Sequence, residues 1–359
     1  MSPPRRRGAR ALAAALLLAL ALWPGLALAG PAGEGGLGFA LLVVRSQAEA
    51  EQAWRPLLVR LSAWLGVAVE PHWYSDYAGA VWAMRTGRDQ FGHFGNKAAI
   101  EAVDKAGGRV FAAPAGPRGP SVYHSVLVVR RDARFASLEA LLAGAGGVTL
   151  ALGDPNSTSG TVVPRQTLFH PRGIEPRERF LRVTAGTHPD NLAAVEAGRV
   201  DAALVSSKAV EALARARPER AAALRELWRS PPIPADPLLW RDDLASPLKS
   251  SVRAFFLQLG RPAPGKSPAT LAAERAELAR LDLAESDHPD QGGFIAADDR
   301  YLLPVRRLDL LESRWRLTHG PAVGAAEAVD TRLAEIDRRL ADLDSLPAGA
   351  DPAGGRRRE

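Results

Sequence analysis

The residues best suited to chemistry in this 359-residue chain stand side by side: Gly153-Asp154-Pro155-Asn156-Ser157-Thr158-Ser159-Gly160. The apolar run 148–152 before them reads as a buried strand, and a helical pattern follows through about Leu168. Three hydroxyl side chains therefore fall at a helix start. Backbone N–H groups there have no intrahelical partner, and the helix dipole adds partial positive charge. An anion with three oxygens fits such a site without any lysine. Asn, Ser and Thr are also ordinary N-cap residues. One cap residue suffices, however, and three hydroxyls beside Gly160, which would keep the approach open, exceed that need. On spacing alone an anion site and a plain cap both stay open.

Other chemistry is poorly represented. Residues 260–267 (Gly-Arg-Pro-Ala-Pro-Gly-Lys-Ser) match the P-loop spacing. A P-loop must follow a buried strand. Here a helical pattern precedes, and two prolines remove needed N–H donors; a turn before a helix capped by Ser267 explains the segment better. The chain has no cysteine, which excludes disulfides, thiol nucleophiles and thiolate metal sites. Seven histidines are scattered, without HExxH, so neither a metal nor another cofactor is expected. Ser157 to Ser159 with His188 could be read as nucleophile and base of a hydrolase. No third group marks itself to orient the histidine, so a binding protein is preferred over an enzyme. No basic stripe interleaved with aromatics suggests nucleic acid.

The elements that must hold these residues alternate between strand and helix. Strands are expected at 37–45, 67–71, 91–95, 110–112, 122–130, 148–152, 180–183 and 202–205, with 225–233 leading back. Helices are expected at 47–65, 76–87, 96–107, 137–145 and 189–197. That order implies a parallel-rich α/β architecture. After Asp236 the pattern turns helical, with helices at 247–259 and 269–281. Val329, Leu333, Ile336, Leu340 and Leu343 form a narrow apolar seam, which could pack on its own lobe, the plainer reading, or pair with a second copy. The opening segment 1–29 combines Arg5, Arg6, Arg7 and Arg10, a short apolar run and Ala27-Leu28-Ala29. It reads as a secretory signal cut near Ala29. Losing those four arginines takes the net charge from +6 to +2. The remaining ~330 residues suit two domains. Residues 347–359 read as a disordered tail.

The serine loop resembles the corresponding loop of the periplasmic phosphonate-binding proteins of ABC transporters. Further stretches resemble that family in the same order: Asp76-Tyr77-Ala78-Gly79, Phe94-Gly95-Asn96-Lys97-Ala98-Ala99, Ser125 to Val129, Ala185-Gly186-Thr187-His188, Trp228 to Pro231, Pro234 to Pro237, and Leu303-Pro304-Val305-Arg306. The resemblance implies a two-lobed type II periplasmic binding protein with extra C-terminal helices, its ligand in the interlobe cleft and its partner an inner-membrane permease. Lobe one would comprise 30–127 and 234–346, and lobe two 128–233. Ser157, Thr158 and Ser159 would bind phosphonate oxygens, with Tyr77 and His188 on the same group and Asp236 at the ligand's amino end. Two positions depart from the pattern. Phe94 replaces a cleft tyrosine and can wall the cleft without donating a hydrogen bond. Lys208 falls where a second acid is expected. These departures point to a phosphonate without a free amine, with a second anionic group near Lys208 as one version. The plain alternative is a Lys208 facing solvent. A periplasmic sensor or hydrolase on the same fold is the other reading kept.

Overall fold

The computed structural model describes residues 36–43, 47–116, 119–281, 292–320 and 326–346. The expected signal, its cleavage point, the tail and the strand end at Val44 and Arg45 lie outside them.

Two sheets organise the chain. The first takes β1 (Leu37–Leu42), β2 (Val69–Tyr74), β3 (Phe91–His93), β4 (Gly108–Gly116) and the two-residue β5 (Gly119–Pro120). A two-stranded ribbon pairs β6 (Val122–Tyr123) with β12 (Ile233–Pro234). Between the two ribbon strands the chain builds the second sheet from β7 (Ser125–Arg130), β8 (Thr149–Leu152), β9 (Arg182–Ala185), β10 (Ala202–Ser206) and β11 (Leu224–Arg229). After the ribbon, β13 (Leu238–Arg241) and β14 (Gly293–Ala296) return to the first sheet.

The strand orders are β14-β4-β13-β3-β1-β2 and β11-β7-β10-β8-β9. Both sheets follow one rule. The second, first and third strands lie parallel in that spatial order. An antiparallel strand from the crossing chain comes next, β13 in one sheet and β7 in the other. The fourth strand follows, β4 or β11, and in the first sheet β14 is added beyond β4. The sequence shows no internal repeat, yet the topology repeats.

Largely apolar runs form the central strands β1, β7, β8 and β10, because both faces of each sheet are covered there. Along β1, Leu37, Phe39 and Leu41 enter one core with Trp54, Leu57 and Leu61 of the helix Gln47–Leu65. Ala40 and Leu42 enter the opposite core with Met84 and Ala98. In the second sheet Leu127 and Val129 join one core, while Val126 and Val128 join the other.

The structure departs from the sequence expectation in two places. The run 122–130 is two strands, not one. His124 breaks it, its N–H donating to Ser207 Oγ and its carbonyl accepting from Ser207 N. Ser125 to Leu127 therefore pair within the second sheet, so the expected lobe boundary after Leu127 cuts a strand, and the chain crosses at the ribbon instead. Second, β13 and β14 occupy a region read as helical. The seam helix Ala326–Asp344 packs, as the plainer reading expects, on the helix Leu303–His319 of its own chain, with Ile336 buried and Arg314–Asp337 and Arg307–Asp344 ion pairs alongside. The seam is thus engaged in cis.

Candidate functional site

In sheets of this order the carboxyl ends of the parallel strands form a crevice where neighbouring connections run to opposite sides. Each sheet supplies helix starts there. From the first come the helices Tyr77–Arg85 after β2 and Asn96–Lys105 after β3. From the second come the wide π-type turn Thr158–Val162 after β8, the helix His188–Glu196 after β9 and Ser207–Ala216 after β10. Tyr77, Gly95, Ser157, Thr158, Ser159, His188, Ser206 and Lys208, all at or beside these starts, line one small chamber of about 10 Å³ with Tyr123 and Asp236. Five positive dipole ends and their orphan N–H donors thus converge on one point. The chamber opens into an outer cleft of about 190 Å³ between Leu42, Val43 and Ser75 on one side and Asp154, Pro155 and 185–188 on the other. A larger surface groove of about 810 Å³ runs along Gln47–Leu65 and has none of these residues.

The serine loop is held by two glycines. Gly153 N donates to Gly160 O at 2.9 Å. A Cβ on Gly160 would stand 2.7 Å from the Gly153 Cα, and one on Gly153 would stand 2.8 Å from the Gly160 Cα. Gly160 therefore does not leave an open approach for ligand; the Gly153 backbone fills that space and fixes the loop.

The hydroxyls have specific partners. Ser157 Oγ accepts from Gly160 N at 3.0 Å. Thr158 Oγ1 accepts from Lys97 N at 2.9 Å, capping from the second sheet a helix whose own N-cap, Gly95, has no side chain to do so. A hydroxyl that accepts from an N–H keeps its own proton to donate. Ser159 Oγ lies 3.5 Å from His188 Nε2, and Ser125 Oγ holds the Ser159 carbonyl at 2.6 Å. The Tyr77 hydroxyl is hydrogen-bonded to Ser157, and burial pushes its phenol up to about 12, so it stays protonated. Burial, aided by the Lys208 charge, lowers His188 to about 4, so its imidazole is neutral. Among the described residues His188 Nδ1 has no hydrogen-bond partner. Among the described residues no carboxylate is hydrogen-bonded to this ring, as a general base would need.

Seven of the eight residues singled out from sequence meet in this chamber; Phe94 does not. It is fully buried in the first sheet's core. Its ring lies over Gly92, where a Cβ would stand 2.7 Å from it, so it packs inward instead of walling the cleft. Lys208 is 7 % exposed, which removes the solvent-facing alternative. Its ammonium sits 2.8 Å from Asp236 Oδ2 and 4.2 Å from the centre of the Tyr123 ring. Asp236 Oδ1 accepts from the Tyr123 hydroxyl at 3.1 Å. The Lys208 charge is thus matched by Asp236 and is not directed at a second anionic group. Tyr123, Gly95 and Ser206 were missed from sequence; Tyr123 and Ser206 flank strand segments, and their neighbourhood is set only by the fold.

The P-loop-like segment is a turn. Lys266 Nζ meets Glu274 at 2.7 Å, and Ser267 Oγ accepts from Thr270 N as a cap. Among the described residues no His, Asp or Glu grouping could hold a metal ion, and no helix is long and apolar enough to cross a membrane.

Two sheets covered by helices and joined by a ribbon, with helix starts facing one small chamber, define a type II periplasmic binding protein. Residues 39–299 match the family described as ABC transporter, phosphonate, periplasmic substrate-binding protein, and the chain belongs to that family. It is 34% identical over 313 residues to the phosphonates-binding periplasmic protein of Escherichia coli K12, covering 87% of each chain. It is also similar to a crystal structure of a binding protein component of an ABC phosphonate transporter from Pseudomonas aeruginosa. That likeness has a TM-score of 0.75 and 34% identity over 86% of this chain and 97% of the other. A Prochlorococcus marinus protein solved in complex with methylphosphonate shares the fold, at TM-score 0.65 and 19% identity over 77% of this chain and 98% of its own. The family is one of transporter binding proteins, not enzymes, and its members are periplasmic; the hydrolase reading of Ser157 to Ser159 with His188 falls with that.

Proposed function

We propose that this chain captures a small phosphonate in the chamber around Ser157, Thr158 and Ser159 and delivers it to an ABC permease in the inner membrane. The observation that carries this reading is the convergence of five helix starts and three hydroxyls on one buried chamber. A phosphonate head has three oxygens and no need of a counter-cation when N–H and O–H donors surround it. Thr158 donates the hydroxyl proton that its contact with Lys97 N leaves available, and the Ser157–Tyr77 pair, joined by one hydrogen bond, keeps one further hydroxyl proton to donate. His188 adds a neutral ring N–H. The outer cleft, between Leu42, Val43 and Ser75 on one side and Pro155 and Ala185 on the other, is the way in from solvent.

The first sheet with the C-terminal helices makes one lobe, and the second sheet makes the other. A chamber of about 10 Å³ has room for roughly one water, so ligand enters with the lobes apart. Tyr77 and the N-terminus of Asn96–Lys105 belong to one lobe, and the serine loop and His188 to the other. An anion gripping both favours closure; one touching a single lobe could not. Export follows from cleavage near Ala29. A homodimer through the seam helix is not carried forward, because that seam is engaged in cis.

Calorimetry with methylphosphonate, phosphite, phosphate and sulfate tests the reading. Binding of methylphosphonate, weakened in Ser157→Ala, is the expected result. Turnover of a phosphonate, or no binding of any phosphorus oxyanion, overturns it.

A further inference from the structure

A carboxylate beside an aromatic face is the arrangement by which proteins hold an ammonium group. Asp236 and the Tyr123 ring make one in the wall of the chamber, with the Tyr123 hydroxyl donating to the same carboxylate at 3.1 Å. Asn96 Nδ2 stands 3.5 Å from that oxygen and donates to the Pro234 carbonyl at 2.7 Å, which holds the Asp236 segment in place. The cage lines the same chamber as Ser157, Thr158 and Ser159. Yet Lys208 enters it from the second sheet, 2.8 Å from the carboxylate and 4.2 Å from the ring centre.

We infer that Lys208 is a specificity-determining residue: it occupies with the protein's own ammonium the cage that would otherwise hold the cation of an aminoalkylphosphonate, and so restricts the site to phosphonates without a cationic tail. This deepens the phosphonate reading above and rests on it. The physical reason is twofold. Asp236 has its charge matched before any ligand arrives, so a second ammonium meets no uncompensated carboxylate. It would also meet the like charge of Lys208, and placing like charges together in a desolvated site discriminates strongly. An uncharged methyl or alkyl tail meets neither penalty, and the Lys208 ammonium leaves a net positive field toward the phosphonate oxygens once the five helix ends are included.

The test is a ratio of affinities, which is insensitive to general loosening of the protein. Methylphosphonate and 2-aminoethylphosphonate are titrated into wild type, Lys208→Ala and Lys208→Met. Wild type is expected to prefer methylphosphonate by at least about tenfold. Lys208→Ala, which empties the cage, is expected to move the ratio toward 2-aminoethylphosphonate by about tenfold or more. Lys208→Met, which fills the space without charge, should move it less. A wild-type preference for 2-aminoethylphosphonate overturns the inference, as does a ratio unchanged within about threefold in both variants. In those cases the phosphonate reading stands, because methylphosphonate still binds. Failure of wild type to bind either phosphonate overturns both.

Discussion

Ser157 and Thr158 illustrate how a short polar side chain serves two partners. Each hydroxyl oxygen accepts from a backbone N–H, at 3.0 and 2.9 Å, and so presents its proton elsewhere. Replacing either by alanine removes a hydrogen bond to a charged oxyanion. It is expected to weaken methylphosphonate binding by about 1.5–3 kcal/mol, read by calorimetry, while Thr158→Ser keeps the hydroxyl and most of the affinity. His188 makes a second prediction at this scale. Its folded pKa, near 4, lies below the unfolded 6.5, so the unfolded chain binds the proton more readily. The stability this contributes is fully present above pH 6.5 and is lost as pH falls toward 4. His170, lowered to about 4 by burial, acts in the same direction. Melting temperature should therefore fall between pH 6.5 and 4.5, above the usual carboxylate range, and His188→Asn should flatten part of that slope. The serine loop is legible in sequence because its signal is local: three hydroxyls and a glycine at a helix start. Tyr77, His188 and Asp236 are lone residues, legible only by resemblance. The pairing of Lys208 with Asp236 joins two segments that no local pattern links. Phe94 shows why a residue type alone misleads, since its direction was decided by the missing Cβ at Gly92.

At the scale of elements, the loop 153–160 works because strand end and helix start touch backbone to backbone at Gly153 and Gly160. A methyl at either position meets backbone, which has no rotamer to yield. Gly160→Ala is expected to shift the loop and weaken binding at least as much as Ser157→Ala, with a lowered melting temperature; Gly146→Ala, with nothing within 4 Å of its Cβ position, is the control and should bind normally. Normal affinity in Gly160→Ala would show that the loop does not need the glycine contact. The helix after the loop opens with a π-type turn, Val162 N reaching Ser157 O, a geometry that recurs at functional sites. Spacing at 3.6 residues cannot reveal it. The parallel strands β1, β8 and β10 were legible because burial on both faces makes them largely apolar runs. The strands β13 and β14 were not, because they are short and take their partners from β3 and β4, which lie over a hundred positions earlier in the chain.

For the whole molecule, the contacts that join the second sheet to the first sheet and its helices include Thr158 with Lys97 N, Lys208 with Asp236, and Arg165 with Glu312 at 2.8 Å. The third lies away from the chamber, on the helix Leu303–His319, where Gln166 also donates to Glu312 at 2.9 Å. Arg165 keeps a second partner, Glu175, within its own sheet's segment. Glu312→Ala therefore leaves the buried guanidinium half-matched and the protein folded, at a stability cost of about 1–3 kcal/mol. It also removes a contact that exists only with the sheets together. The unliganded variant should populate the open form more than wild type, and its apparent affinity should fall by the fraction of closed-competent molecules lost. Small-angle scattering reads this directly. The radius of gyration of unliganded Glu312→Ala should exceed that of unliganded wild type, and saturating methylphosphonate should bring both to one value, because the oxyanion grips both sheets regardless of Glu312. Ligand at a hundredfold excess over Kd should stabilise either protein by about 2.7 kcal/mol, visible as a rise in melting temperature. Equal radii in all four states would mean that the sheets do not move against each other, and that the chamber fills by local rearrangement of the loop 153–160 alone.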